Sequence, residues 1–467
     1  MRSIDNITFV GAAGCRGEAS RNLFMKKLLQ FLLTRLAKSY LQHYKPQIIA
    51  VTGNVGKTST KEAIAVVLKG HKNIRVSGGN LNNEIGVPLT ILGNPEGIAS
   101  RSYGAGWTEE YYEKGGTVSF WFKVLFISFT GLFRRNKKYP EVLLMEYGAD
   151  HPGDIGKLVK NFKPNIGVVT AIGEIPVHVE YFSSLEELAE EKSKLIQALG
   201  SDDFAVLNSD DFAVLNMKGK TKAKVLTFGF NEEAHVRISN FDFRIGENGE
   251  PLGVVFKLNH CESFVPVKIN GSLGKSQAWS AGAAAAVGLS LGMNLISISQ
   301  AFASYQPPAG RLKILRGIKN SFIIDDTYNA SPASTHLALE TLKSLPARRK
   351  VVVLGDMLEL GKYTIAAHQE VGNFAGTFAD FLITVGTSGK LIADAAGNQM
   401  PKDRIISFDT AVEAKAKVQN LIQEGDLILV KGSQGMRMER IVEEIMAEPE
   451  RKKELLVRQS KKWLNKA

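Results

Sequence analysis

The sequence predicts an α/β protein, with a parallel-sheet central domain followed by a second, doubly wound (Rossmann-like) domain. The 467 residues, of which 44% are hydrophobic and 22% charged, are enough for two or three globular domains. A short apolar strand near residue 47 leads directly into a glycine-rich turn and a helix. Beyond residue 310, apolar strands alternate with helical segments, which is typical of parallel strands joined by crossover helices.

Composition and charge exclude several classes of protein. The chain is too apolar to be disordered, has no collagen period, and carries only Cys15 and Cys261, which cannot form a disulfide framework and lack metal-ligand spacing. A reducing compartment is therefore expected. The 58 Lys and Arg against 47 Asp and Glu give a net charge of +11, which predicts an anionic partner: a nucleotide, a nucleic acid or a membrane surface.

Residues 1–45 predict an N-terminal extension with a basic amphipathic helix. Residues 1–20 lack the basic start and long apolar stretch of a secretory signal. In residues 22–44 an apolar residue recurs every fourth position, and Pro46 is expected to end the helix. Its charges are all positive and too many for a spanning helix. Two interpretations stay open: a helix lying on an anionic membrane, or one packed on the next domain.

A second apolar segment, 118–133, lies within an expected insertion at about 100–139. It carries one charge, Lys123, and is followed by the basic run RRNKK at 134–138. It is shorter than the roughly 20 residues needed to cross a bilayer. Its aromatic residues suit interfacial insertion. A buried helix or hairpin is the alternative.

The glycine-rich turn predicts a phosphate-binding loop. The strand at 47–51 is followed by TGNVGKTST at 52–60 and then by helical periodicity. In this setting backbone N–H groups and the helix dipole hold phosphates, a lysine reaches the β- and γ-phosphates, and a hydroxyl ligates Mg²⁺. The spacing is GxxGKT, shorter than the general GxxxxGK[ST]. We predict nucleotide contacts at Gly53, Asn54, Val55, Gly56, Lys57, Thr58 and Ser59, with Thr58 also a metal ligand.

Further chemistry is expected at the ends of the next strands. Glu146 ends the buried strand 142–145, at the sheet edge where ligands bind, and its carboxylate could hold Mg²⁺. A strand at 166–170 leads to a segment containing His178. The helix at 184–199 carries Lys192 among several glutamates, and spacing alone fits a solvated helix face with salt bridges.

These motifs together resemble the Mur ligase family, over about residues 46–446. Within the family, the match is to the branch that joins D-alanyl-D-alanine to UDP-N-acetylmuramoyl-tripeptide. The TGxxGKT loop is followed in order by five segments that carry the resemblance: GGNLNNEIGVPLTIL from Gly78, EYGADHPGDI from Glu146, DDTYNASPAS from Asp325, VLGDMLELG from Val353 and VKGSQGMRMER from Val430.

The resemblance implies roles for individual residues. Glu146 and His178 would bind Mg²⁺, and Lys192 would be carbamylated to an anion serving the same site, so that Lys57, Lys192 and His178 form the catalytic set. Two further groups are implied: Arg311, Asp326 and Asn329 for ATP, and Asn80, Asn82, Asn83, Lys431 and Ser433 for substrate. The proline- and glycine-rich stretch 304–311 predicts a boundary between a central domain at 46–308 and a C-terminal domain at 309–455, before a charged tail at 456–467.

Two departures from the family pattern are expected to change substrate recognition. The residues before the phosphate loop are too few for the family's usual UDP-binding domain. The segment GKSQAWSAGAA at 274–284 has Ser276, Gln277 and Ser280 where the family has a histidine and two asparagines, so contacts to the nucleotide must be remodelled.

We therefore expect an ATP- and Mg²⁺-dependent amide ligase that activates a carboxylate of a muramoyl-peptide as an acyl phosphate and joins it to D-alanyl-D-alanine. Two alternatives stay open: a sister ligase acting on a lipid-linked or other carboxylated substrate, and a non-enzymatic P-loop switch. A nucleic-acid partner is not expected, because no stacking or groove-reading motif appears. A cytoplasmic monomer is expected, either free or peripheral on the inner face of the membrane.

Overall fold

Two β-sheets, each covered by helices, form the body of the protein. The computed structural model describes residues 16–79, 81–94, 107–133, 138–173, 181–182 and 184–464. Over these residues the chain forms a nine-stranded sheet followed by a six-stranded sheet. The α/β class predicted from the sequence is confirmed.

The first sheet has the strand order β2-β3-β1-β4-β5-β6-β7-β8-β9. All pairings from β2 through β7 are parallel, whereas β7, β8 and β9 pair antiparallel. The parallel central sheet predicted from the sequence is confirmed from β2 through β7, and an antiparallel extension of β7, β8 and β9 continues it at one edge. The strands are β1 (Gln47–Thr52), β2 (Ile74–Val76), β3 (Val142–Glu146), β4 (Ile166–Val169), β5 (Phe204–Asn208), β6 (Lys224–Gly229), β7 (Val236–Ile245), β8 (Pro251–His260) and β9 (Ser263–Asn270).

Alternation of side chains along the strands sends alternate residues into two cores. Ile49 and Val51 of β1 pack with α2 and α9 on one face, whereas Ile48 and Ala50 pack with α1, α3 and α5 on the other. The helices of this half are α1 (Arg16–Tyr44), α2 (Lys57–Lys69), α3 (Gly86–Leu92), α4 (Thr108–Lys114), α5 (Val118–Phe133), α6 (Asp154–Asn161), α7 (Leu185–Gln197), α8 (Phe212–Leu215), α9 (Lys275–Ser290) and α10 (Leu295–Ala301).

The second sheet has the order β10-β11-β15-β12-β13-β14, with β10 as an antiparallel edge. Its other pairings are parallel, as the alternating pattern beyond residue 310 predicts. The strands are β10 (Lys313–Arg316), β11 (Phe322–Asp326), β12 (Lys350–Gly355), β13 (Phe381–Val385), β14 (Ile405–Phe408) and β15 (Leu427–Lys431). The helices are α11 (Pro332–Ser344), α12 (Thr364–Gly376), α13 (Gly389–Ala396), α14 (Ala411–Leu421), α15 (Glu439–Ile445), α16 (Lys452–Leu455) and α17 (Lys461–Leu464).

The two apolar segments predicted near the N-terminus are both helices that pack on the first sheet. Helix α1 buries Leu33 and Ala37, and the Tyr40 hydroxyl donates to the Ser128 carbonyl of α5 at 3.0 Å. The hairpin considered for residues 118–133 is wrong, since the whole segment is α5. Among the described helices, none has the length and apolar character needed to cross a membrane.

The end of the chain corrects a further expectation. Arg458, in the segment expected to be a charged tail, is buried, and its guanidinium donates to the Thr327 carbonyl and to Glu439, both at 2.9 Å. It also donates to the Tyr328 carbonyl. The stretch around Arg458 therefore packs beneath the loop that follows β11, where its charge is paired.

Candidate active site

The phosphate loop lies at the carboxyl end of β1, between β3 and β4. Strand order reverses at β1, and such a switch point is where open α/β sheets bind ligands. The loop is pinned to the segment after β4: the Asn54 N–H donates to the Ala171 carbonyl at 2.7 Å, and the Asn54 amide to the Ile172 carbonyl at 2.7 Å. The first turn of α2, whose N–H groups have no acceptor within the helix, follows this loop directly.

Two glycines in this loop are required by its geometry. Gly56 adopts φ 85°, a left-handed conformation that disfavours a side chain. Gly53 adopts φ 143°, and a β-carbon there would lie 2.0 Å from the Thr170 hydroxyl oxygen. The Thr170 hydroxyl in turn donates to the Val55 carbonyl at 2.7 Å. The glycines predicted from the motif thus let the loop close against β4.

Two lysines converge on one carbonyl oxygen inside the loop. The Gly53 carbonyl accepts a hydrogen bond from Lys57 Nζ at 2.6 Å and from Lys192 Nζ at 3.3 Å. Burial lowers the pKa of Lys57, an effect that Glu146 and Asp150 partly offset. Burial, with the nearby Lys57 charge second, lowers the pKa of Lys192 to about 7. Two lysines therefore meet at the Gly53 carbonyl: Lys57, which is half-buried, and Lys192, whose amine loses its proton near neutral pH.

Lys192 is buried rather than part of a solvated helix face. Its side chain is 2% exposed, and the neighbouring Glu191 fixes the helix that carries it. The Glu191 carboxylate accepts from the backbone N–H groups of Gly153 and Ile155, both at 2.8 Å, at the start of α6. The salt bridges on this helix are instead those of Lys194 with Glu191 and of Glu190 with Lys220.

A buried ion pair lies beside the loop. In the β1–β3 register Glu146 pairs with Val51, so its carboxylate is one strand away from the phosphate loop. Lys61, one helical turn after Lys57, is 1% exposed and lies 3.2 Å from Glu146 Oε1. It also donates to the Ser77 carbonyl at 2.7 Å. Burial opposes its charge, but Glu146 and Glu62 outweigh that effect and the pKa of Lys61 is raised.

The residues at this edge fit a Mg²⁺ ion. Glu146 Oε1 is buried, and Lys61 is its close charged neighbour; no well-aligned hydrogen-bond donor reaches it among the described residues. Thr58 lies in the first turn of α2, on the same edge. The described residues contain no cluster of three or more acidic, histidine or cysteine ligands. Mg²⁺ takes one or two carboxylates and completes its shell with water and phosphate oxygens, so the single carboxylate of Glu146 is compatible with it.

The C-terminal half of the chain contributes a cation, Arg311, near the phosphate loop. The Arg311 guanidinium lies 4.0 Å from the ring centroid of Tyr328, and its charge reaches Lys57 and lowers that pKa. Its Nε is buried without a hydrogen-bond partner in the described part of the chain. The Arg311 carbonyl accepts from the Ser272 hydroxyl at 2.9 Å, which ties the segment to the first sheet. The positive charges of Arg311 and Lys57 therefore lie near each other where the two sheets meet.

Residues predicted for ATP and for substrate, at the ends of β11 and β15, form hydrogen bonds with each other. Asp326 and Lys431 are register partners on neighbouring strands, and Lys431 Nζ donates to Asp326 Oδ2 at 2.6 Å and to the Asn329 carbonyl at 2.9 Å. The Ser433 hydroxyl accepts from the Leu358 N–H at 2.8 Å. These contacts bring the predicted residues together, and their roles toward ATP and substrate stay predictions.

Of the three asparagines predicted for substrate, two lie near the carboxyl end of β3. Asn83 Oδ1 accepts from the N–H groups of Ile85 and Gly86 at the start of α3. Asn82 lies against Gly148, where a β-carbon would come within 2.9 Å of its side chain. Asn80 and the predicted metal ligand His178 lie outside the described residues.

Comparison with known protein families matches both halves of the chain. Residues 127–287 match the Mur ligase middle domain, and residues 310–434 match the Mur ligase glutamate ligase domain. Together these matches span more than half of the chain. The chain belongs to the Mur ligase family.

Individual relatives agree with this assignment. UDP-N-acetylmuramoyl-tripeptide–D-alanyl-D-alanine ligase of Bacillus subtilis is 29% identical over 421 residues, covering 89% of this chain and 79% of the relative. The Escherichia coli ligase of the same name is 28% identical over 416 residues, covering 88% and 80%. The crystal structure of MurF ligase from Thermotoga maritima in complex with ADP has a TM-score of 0.70 at 24% identity, covering 91% and 84%. That structure shows a shared fold.

The segment that departs from the family pattern packs inside this Mur ligase. Gln277 is buried and donates to the Arg311 carbonyl at 3.3 Å, and Ser280 is buried where α9 crosses α2, 3.3 Å from the Thr60 hydroxyl. The Ser276 carbonyl accepts a hydrogen bond from the Ser280 hydroxyl. Small residues here let the two helices approach closely.

Two charged residues of this site, Lys61 and Asp150, were not predicted from the sequence. Lys61 follows Lys57 by four positions, which places both on one helix face, but a lysine in a helix usually indicates a solvated surface. Asp150 raises the pKa of both Lys57 and Lys192, which places its charge beside them. The signal for Asp150 was its position four residues after the strand-ending Glu146.

Proposed function

We propose that this Mur ligase is an ATP-dependent ligase that joins D-alanyl-D-alanine to UDP-N-acetylmuramoyl-tripeptide. The observation that carries the proposal is the convergence of Lys57 and Lys192 on the Gly53 carbonyl, one strand from Glu146 and within electrostatic reach of Arg311. The two ligases named above, which span most of this chain, support the choice of substrates.

In the first step, a carboxylate oxygen of the tripeptide attacks the γ-phosphorus of ATP. A P–O bond to the carboxylate forms and the bond to ADP breaks, which gives an acyl phosphate and ADP. The ammonium of Lys57, the N-terminus of α2 and Arg311 would stabilise the negative charge on the transferring group. Glu146 and Thr58 would hold Mg²⁺, which neutralises phosphate charge when bound.

In the second step, the amine of D-alanyl-D-alanine attacks the acyl carbon. A C–N bond forms, the C–O bond to phosphate breaks, and the nitrogen loses its proton, which leaves an amide and inorganic phosphate. The acyl phosphate must be kept from water during this step. The second domain, which brings Arg311 and Tyr328 over the loop, is suited to that task.

Carbamylation of Lys192 is part of the proposal. The neutral amine would attack carbon dioxide, forming an N–C bond and releasing a proton, and would become an anion with two oxygen donors. Three observations support it: the amine is buried, it lies on the Gly53 carbonyl, and its pKa is lowered to about 7, so that much of it is neutral at physiological pH.

The location and assembly state are also proposals. We propose that a monomer is the working unit and that it acts in the cytoplasm. A second candidate function is a sister ligase that acts on a lipid-linked carboxylate. It is favoured by the apolar side chains that α1 and α5 leave exposed beside the sheet.

Phosphate release from ATP tests the proposal. The full-length protein is incubated with Mg²⁺ and ATP, with UDP-muramoyl-tripeptide and D-alanyl-D-alanine added singly and together. Release that requires both substrates supports the proposal, and Lys57→Ala should abolish it. If neither substrate increases the rate of phosphate release from ATP, the proposal is contradicted. A response only to a lipid-linked carboxylate selects the sister ligase.

A further inference from the structure

Two neighbouring helices expose large apolar side chains on the outside of the first sheet. On α5 they recur every three or four residues, which places them on one helix face, opposite the buried Phe120, Trp121 and Val124. Phe122 is 71% exposed and Phe133 is 77% exposed. The exposed apolar residues are Val118, Phe122, Phe126, Phe129 and Phe133 on α5, and Phe24, Met25, Leu28, Phe31 and Leu32 on α1. We call this set the apolar face.

The two rows belong to one region of the surface. Both helices contribute to the same core on one side of the first sheet, and they contact each other where Tyr40 bonds to Ser128. A β-carbon on Gly131 would come within 2.2 Å of the Tyr40 hydroxyl, so the helices approach closely there. Soluble surfaces rarely leave this much apolar area together unless it contacts another molecule.

The charges around the apolar face are positive. From residue 24 to 44, α1 contains Lys26, Lys27, Arg35 and Lys38 and no acidic residue. Lys27 and Arg35 are exposed. The sequence after α5 continues with RRNKK. Lys123 of α5 is paired with Glu110 at 3.0 Å, whereas Lys27 and Arg35 contribute exposed positive charge from α1.

We infer that the apolar face docks this protein on the surface of an anionic lipid bilayer, with the phenylalanines of α5 inserted at the headgroup boundary and the cations of α1 over the lipid phosphates. Apolar insertion combined with basic residues is the pattern of an interfacial helix. A second copy of this chain fits less well, because a two-fold contact would bring Lys27 and Arg35 of each copy close to the same cations of the other. The inference rests on α1 and α5 alone and holds whichever carboxylate the ligase uses.

Vesicle flotation tests the inference. The full-length protein is mixed with vesicles of phosphatidylcholine alone or with phosphatidylglycerol, and the bound fraction is measured at low and high salt. The test variant is F122S/F126S/F129S. The matched control is F212S/F264S/I365S, which removes three apolar side chains of similar exposure elsewhere on the molecule. Thermal unfolding of both variants checks that they remain folded.

We expect the wild type and the control to float with the phosphatidylglycerol vesicles, and the test variant to bind about tenfold less. High salt should weaken binding. A K27E/R35E variant should lose affinity for the anionic vesicles. The inference is overturned if the wild type floats with neither vesicle, or if the test variant and the control bind equally. It is also overturned if light scattering shows a dimer that the test variant abolishes, because the face would then be a contact between copies.

Discussion

At Lys192 the surroundings change the chemistry of a common side chain. The amine is 2% exposed and shares the Gly53 carbonyl with Lys57, and its pKa falls to about 7. We expect Lys192→Ala to lose ligase activity by at least about 100-fold, and short carboxylic acids to restore part of it by supplying the missing anion. The control is Lys220→Ala, whose ammonium pairs with Glu190 of the same helix on the surface. Full activity of Lys192→Ala without rescue would refute the role.

The pH dependence of folding follows from the same lysine. The unfolded chain binds this proton with the ordinary pKa of 10.5 and the folded chain with a pKa of about 7, so the unfolded state holds more protons between these values. The free energy of unfolding should therefore rise as pH increases from about 7 toward 10.5, and the cost of burying the charge is fully present below pH 7. In buffer free of carbon dioxide, the stability advantage of Lys192→Met over wild type should shrink between about pH 7 and pH 9. An advantage independent of pH would contradict the lowered pKa.

The buried pair of Lys61 and Glu146 allows a double-mutant cycle. Lys61→Met leaves a buried carboxylate without its cation, and removal of one partner of a buried pair costs about 3–5 kcal/mol. Adding Glu146→Gln should restore most of that stability but no activity, because the proposed Mg²⁺ ligand is then gone. Urea unfolding measures the cycle. Additive losses in the double variant would show that the two side chains do not interact.

The sequence predicted those site residues whose signal is local. Gly53, Gly56, Lys57 and Thr58 belong to one short motif, and Glu146 ends a clearly apolar strand. Lys192 lies in a helix rich in charge, whose pattern matches that of a solvated helix, and only the resemblance to a family predicted it. Lys61 lies near the start of a largely apolar helix, and nothing in the sequence distinguished it from an exposed lysine, because only tertiary packing buries it.

At the scale of elements, long periodic segments were predictable and edges were not. The alternation beyond residue 310 predicted β11 to β15 and the helices between them. It did not predict β10, a four-residue antiparallel edge whose pairing with β11 is set by the turn at Lys319 and Asn320. The charged C-terminal segment was misjudged because Arg458 is buried only through partners far away in sequence.

The contact between α6 and α7 depends on Glu191. Glu191 accepts the free N–H groups at the start of α6 and thereby fixes α7, which carries Lys192. We expect Glu191→Ala to lower the free energy of unfolding by about 1–3 kcal/mol and to reduce activity through misplacement of Lys192. Glu190→Ala, at a surface pair on the same helix, should change stability by no more than about 0.5 kcal/mol. Equal effects of the two variants in urea unfolding would contradict the capping role.

Across the whole molecule, the two sheets meet at the segment that contains Arg311. Its backbone is held by Ser272 and Gln277 of the first half, while its side chain lies on Tyr328 of the second. We expect Arg311→Ala to lower kcat/KM for ATP about 100-fold, since a cation near the transferring phosphate is lost. Arg316→Ala, an exposed arginine on β10, is the control and should retain near wild-type kinetics. A similar loss in both variants would indicate a structural effect on the second sheet.

The proposed function requires that the substrate carboxylate attack ATP directly and form an acyl phosphate. Its most direct test is a transfer of isotope. UDP-muramoyl-tripeptide with heavy oxygen in its carboxylates is converted with ATP and D-alanyl-D-alanine, and the released phosphate is analysed by mass spectrometry. We expect one heavy oxygen from the carboxylate in each released phosphate, because the C–O bond to phosphate breaks in the second step. Phosphate that carries no heavy oxygen, formed together with the amide product, would contradict it.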